Sequence, residues 1–147
     1  MFKALAALTV GMTTSLGALA DGLIVIDGWA RETPPGKSMT AAYGQLQNSG
    51  DETLVVTGVS AEVAAHSSLH ETRIERDRST MRPLSKLAIA PGEAVELAPG
   101  GRHIMLMKLD APLVEGESID ICFTLENNDD VCSGFPIAKR KAMGHSH

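Results

Sequence analysis

Excess basic charge is absent: 13 Lys+Arg stand against 18 Asp+Glu, a formal net charge of −5. A nucleic-acid binder normally presents a basic face, so that class is excluded. Cysteine is scarce. Two Cys cannot build a four-thiolate zinc site or a disulfide-dense miniprotein. Beyond the N-terminus no run approaches the roughly 20 apolar residues that span a bilayer, and stable membrane insertion is not expected. HExxH, GxSxG and GxGxxG are all missing. Gly36-Lys37-Ser38 resembles the end of a phosphate-binding loop, but Arg31 stands where the first Gly belongs and Pro34-Pro35 precede it. No Ser or Asp is marked as an activated nucleophile, so there is no positive reason to expect an enzyme. Aromatic rings are few, with one Trp, one Tyr and three Phe, against seven Met and five His. With 44% apolar residues the chain has enough for one folded domain.

The first twenty residues read as a cleavable export signal. Lys3 supplies a positive n-region, Ala4 to Met12 an apolar stretch, and Ala18-Leu19-Ala20 the small residues of a cleavage site. Asp21-Gly22 then breaks the run. No Cys follows, so a lipid-anchored form is not indicated. The expected organisation is a leader over 1–20, one domain over 21–138 and a flexible Met/His-containing tail over 139–147. The expected location is the periplasm.

The mature sequence is predicted to be all-β. Short apolar runs begin with Leu23 to Ile26, near Trp29, and continue through Ala41 to Gln47, Thr53 to Ser60 and Val63 to Leu69. Ala94 to Leu97, His103 to Leu109, Ser118 to Leu125 and Val131 to Ile137 complete the series. Pro-Gly and Asn-Asp turn signals separate them roughly every ten residues, the pattern of a sandwich or Greek-key barrel. The segment Thr72 to Thr80 carries Arg73, Glu75, Arg76, Asp77 and Arg78 and reads as a solvated loop. Cys122 and Cys132 flank the Asn127-Asn128-Asp129-Asp130 turn. In an oxidising compartment a disulfide is the leading reading of the pair; thiol redox chemistry or metal binding is the alternative.

His103-Ile104-Met105-Leu106-Met107 is the informative segment. In a strand, His103, Met105 and Met107 share one face, while Ile104 and Leu106 share the other and serve the core. Uncharged thioethers bind hard cations poorly and suit Cu(I), and imidazole adds a stronger donor. Ordinary gap-filling methionines beside a surface histidine remain an alternative. His70 ends a predicted strand, and Met81 follows the charged segment among polar neighbours. His66, about 13 Å from His70 along a strand, reads as a surface histidine. Nothing in the sequence places Met39 near these residues.

His70, ten residues, Met81, twenty-one residues, then His103-x-Met105 resembles the metal-binding signature of the periplasmic copper chaperone A family. Trp29-Ala30-Arg31, Pro34-Pro35-Gly36, Ala42-Tyr43, Leu69-His70-Glu71 and Pro99-Gly100-Gly101 through Met107 extend the likeness over nearly all of Leu23 to Ile137. The resemblance implies a cupredoxin-like Greek-key β-sandwich holding one Cu(I) through His70, Met81, His103 and Met105. It further implies delivery to a copper acceptor protein, cytochrome c oxidase subunit II or another copper chaperone, during oxidase assembly. One departure is Thr72, where family members often carry Met. The two Cys are not part of the family pattern.

Met143, His145 and His147 form a second candidate site in the tail, suited to Cu(II) and weaker. A monomer is expected. Two other readings stand: a secreted immunoglobulin-like interaction module, and a thiol or copper redox protein using Cys122 and Cys132.

Overall fold

The computed structural model describes residues 22–139. The leader over 1–20 and the tail ligands Met143, His145 and His147 lie outside the described residues. Ten strands make up the described chain: β1 (Leu23–Arg31), β2 (Thr40–Asn48), β3 (Leu54–Ser60), β4 (Ala64–Glu75), β5 (Arg78–Leu84), β6 (Leu87–Ile89), β7 (Ala94–Leu97), β8 (Arg102–Leu109), β9 (Ser118–Leu125) and β10 (Asp130–Ala138). The fold is all-β, as the short apolar runs and the spacing of their turn signals predicted.

The strands follow the open path β5-β4-β8-β2-β1-β10-β9-β3-β6, with β7 also paired to β2. The two halves of this path join where β1 and β10 run parallel at Ala30↔Ile137 and Arg31↔Ala138. Side chains from both halves meet in one core. Phe123, Phe135, Ile121, Val56 and Ile89 come from one half, and Leu46, Ile104 and Leu106 from the other. Strand β9 shows the logic plainly, because Ile119, Ile121, Phe123 and Leu125 are buried while Ser118 and Asp120 are exposed.

Strand β8 behaves differently. Ile104 and Leu106 enter the core, yet His103 and Met105 on the opposite face are buried too. The central part of β8 is therefore covered on both sides. Its neighbours are β4 on one flank and β2 on the other.

Two expectations need correction. The segment Thr72 to Thr80 is not a loop: β4 runs on to Glu75 and β5 returns from Arg78, with Thr72 paired to Met81. Arg76 and Asp77 turn the chain with φ of 50° and 62°, the positive pair a two-residue hairpin turn requires. Its outer residues are exposed on both faces, so no apolar alternation marks it in the sequence. The β4–β5 backbone ladder pairs the polar main chain there. The other correction is β6, three residues long, too short to show a period. Leu87 and Ile89 are buried on either side of exposed Ala88.

A bulge in β1 shifts the register between Ile26 and Trp29, with Asp27 at φ 52°. Glycine permits it. A Cβ on Gly28 would lie 2.8 Å from the Phe135 ring, and one on Gly44 would lie 2.9 Å from the Gly28 Cα. Beyond the bulge Trp29 pairs with Tyr43, their ring centroids 5.0 Å apart.

The expected disulfide is present. Cys122 and Cys132 oppose each other across the β9–β10 hairpin with their sulfurs bonded. The hairpin turn forms at the expected residues, where Leu125 N donates to Asp129 O and Asn127 Oδ1 accepts from Asp129 N.

Candidate metal centre

The antiparallel register of β4 against β8 sets His70 directly opposite His103, and Ser68 directly opposite Met105. Directly opposed side chains share a face, with Cβ atoms about 4.5–5.5 Å apart. The two imidazoles lie roughly parallel, with centroids 5.9 Å apart and planes inclined at 28°. Thirty-two intervening residues separate these histidines in the chain, and one rung of a sheet brings them together. Met105 sits two residues from His103 on the same face.

Hydrogen bonds assign a role to each nitrogen. His103 Nδ1 lies 3.1 Å from Gly101 O. A carbonyl only accepts, so Nδ1 carries the proton and donates, leaving Nε2 with a free lone pair. Such a bond from the far ring nitrogen is the usual way a metal-ligating histidine is oriented. Gly101 O also accepts from Thr72 N at 3.1 Å, so one carbonyl ties β4 to the His103 ring. The preceding turn holds this carbonyl in place, with Ala98 N donating to Arg102 O and Gly101 N to Ala98 O. Gly100 there has a φ of 84°, which favours glycine.

His70 is held by Ser68, whose Oγ lies 2.8 Å from Nε2. Its other nitrogen, Nδ1, is buried with no hydrogen-bond partner. An unsatisfied buried polar atom costs about 1–3 kcal/mol. A ligand with an empty orbital at that nitrogen offsets the cost. Burial pushes the His70 imidazole below the usual histidine range, and the neighbouring His103 lowers it further. Both effects favour the neutral, metal-competent ring.

Met81 is placed less closely. It lies on β5 opposite Thr72, on the same face as His70 but one rung along, and is 59% exposed. Diagonal neighbours of this kind are roughly 7–8 Å apart, within the reach of a long side chain. The sequence pattern thus brings His70, His103 and Met105 to one patch, with Met81 at its outer edge. Among the described residues no group of three or more His, Cys, Asp or Glu could hold a metal ion. A metal on this face would therefore draw on methionine sulfur. That donor set fits Cu(I) and is poor for hard cations.

Sequence reasoning missed Ser68 and the Gly101 carbonyl, which orient the two rings. A serine two residues before a histidine carries no signal of its own. Pro99-Gly100-Gly101 does mark a turn, but its carbonyl direction is a property of the folded loop. His66 stays out of the patch, as expected, four residues from His70 on β4.

Residues 23–137 match the family described as "Putative lipoprotein LpqE-like". The chain belongs to the LpqE-like family. It is 40% identical over 123 residues to "Putative lipoprotein Lxx21020" of Leifsonia xyli subsp. xyli (strain CTCB07), which is 83% of this chain and 70% of that protein. Among solved structures, the LpqE-like chain is similar to the copper-bound PCuAC domain from PmoF2. The TM-score is 0.66 at 18% identity, covering 80% of this chain and 93% of that one. It is similar also to DR1885 from Deinococcus radiodurans. The apo form gives a TM-score of 0.64 at 25% identity, covering 96% and 95% of the two chains. The Cu(I) form gives 0.60 at 26%, covering 84% and 85%. These likenesses establish the cupredoxin-like β fold. Both cysteines of the LpqE-like chain are joined to each other.

Proposed function

We propose that this LpqE-like protein is an exported copper chaperone that binds one Cu(I) through His70, Met81, His103 and Met105. In this reading it surrenders the ion to a copper acceptor, cytochrome c oxidase subunit II or a second chaperone. The observation that carries it is the opposition of His70 and His103 across β4 and β8, with Met105 beside them. Each ring there has one nitrogen anchored and one without a protein partner. The likeness to the Cu(I) form of DR1885 supports the same cargo. Relatives named as lipoproteins support export.

A carrier needs soft ligands that survive an oxidising compartment. Thioether and imidazole meet that need without free thiolates, and the only thiols are spent in a disulfide. The edge position of Met81 leaves one ligand exposed for a partner to replace. The residues' own part is to hold His103 in its ligating tautomer, to position the His70 ring through Ser68, and to exclude water around His103 and Met105.

The deciding experiment is anaerobic titration of Cu(I) against a chromophoric chelator, repeated with Cu(II). One tightly held Cu(I), lost on His103→Ala, is the expected result. Full Cu(I) affinity in His103→Ala, or no Cu(I) binding by the wild type, overturns the reading and favours an interaction module.

A further inference from the structure

The row of soft donors continues past the site already described. His66 pairs with Met107 in the same β4–β8 register that pairs His70 with His103. Both are an even number of residues from the proposed ligands, so their side chains lie on the same face of the sheet. Met107 is half-buried and His66 exposed.

Met39 joins them from the other flank. Thr40 pairs with Leu106 and Ala41 with Met105, and Leu109 N donates to Ser38 O at 2.9 Å. The segment entering β2 therefore runs alongside β8, and Met39 falls beside Met107. It lies two residues before Ala41, on the same face as Met105, and is 42% exposed. One imidazole and two thioethers are thus set side by side on β4, β8 and the segment leading into β2.

We propose that His66, Met107 and Met39 form a second Cu(I) site on this sheet face, distinct from the His70–His103 centre. The proposal rests on the copper-binding reading above for the identity of the ion. Three neutral soft donors, one of them imidazole, select a soft monovalent cation by the same chemistry. His103 and Met107 are four residues apart on one strand, roughly 13 Å, with Met105 midway at roughly 7 Å from each. The arrangement is a ladder of three thioethers in which Met105 stands between two imidazole-containing sites. An ion collected at the exposed end has a continuous row of sulfur ligands toward the buried one. With fewer and more exposed donors, the second site binds more weakly and fills second.

Methionine-methyl NMR of the full chain, titrated with Ag(I) as a redox-inert soft monovalent ion, tests this directly. The first equivalent is expected to shift the Met81 and Met105 methyls, and the second those of Met107 and Met39. In His66→Gln, a surface substitution, the second set of shifts is lost and the first is retained. Unchanged apo spectra elsewhere report that this variant is folded. If Met107 and Met39 stay unshifted at two equivalents while Met81 and Met105 respond, the second site is overturned and the main reading stands. If a second equivalent moves only Met143, it has gone to the tail and the proposal fails. If Met107 and Met39 respond while Met81 and Met105 never do, the second site stands and the four-ligand centre falls.

Discussion

His70 and His103 face each other across a single rung, 5.9 Å between ring centroids, yet they are anchored by different means. His103 leans on a backbone carbonyl, which cannot be mutated away and permits one tautomer. His70 leans on a serine hydroxyl, which can donate or accept. The pair therefore combines one imidazole of rigidly specified tautomer with one whose hydrogen bond leaves it freedom to adjust.

That difference makes Ser68 a test of ligand orientation. Ser68→Ala removes the His70 anchor while leaving both imidazoles and both thioethers. Loss of such a supporting bond typically costs 10–100-fold in metal affinity. We expect Cu(I) affinity to fall within roughly that range, measured by chelator competition, with the thermal midpoint nearly unchanged.

Met81 separates a ligand from a structural residue. At 59% exposure it contributes little to packing, and surface substitutions usually stay within about 0.5 kcal/mol. Met81→Leu is expected to leave the urea midpoint unaltered while weakening Cu(I) binding. A destabilised variant with intact affinity would contradict this.

The lowered His70 proton affinity predicts a pH dependence with a definite sign. Its folded-state pKa lies below the unfolded value of about 6.5. The folded protein therefore binds fewer protons there, and stability falls as pH drops through the unfolded value. The loss is complete below the folded value and absent well above pH 7. Urea unfolding of the metal-free protein at pH 7.5 and pH 5 should show lower stability at the acid end. His70→Gln should reduce that difference. Cu(I) affinity should persist to more acidic pH than an ordinary histidine site allows.

The disulfide is predicted to matter for stability and not for metal. It closes a ten-residue separation in the β9–β10 hairpin, in the half of the strand path that does not carry the histidines. A double Cys122→Ser, Cys132→Ser variant should lose about 2–3 kcal/mol by denaturant unfolding. Its Cu(I) stoichiometry should match the wild type.

The candidate donors on β8 were legible from strand geometry alone: His103, Met105 and Met107 on one face, Ile104 and Leu106 on the other, is a period-two statement, and the regular β4–β8 register keeps it. The β4–β5 hairpin was not legible, because neither of its outer faces is buried and charge dominates both. Its Arg76-Asp77 turn adopts positive φ without Gly, and Asp77 alone amid Arg73 to Arg78 was a weak turn signal. The burial of His103 was hidden as well, since a polar ring enters a covered position only when a carbonyl is there to meet it.

The sequence alone determined which side chains of β8 share a face, where the hairpin turn before Cys132 would fall, and which soft donors were available. These follow from local rules, alternation and turn chemistry, that need no partner. Tertiary structure decided how strands distant in the chain align. The register of β4 on β8 makes His70 the partner of His103 and not of Met105, and sets His66 against Met107. A one-residue slip would send every one of those side chains to the other face. The buried Leu69, Ile104 and Leu106 on the core side hold that register. The hydrophobic core thus sets which donors on the outer face meet.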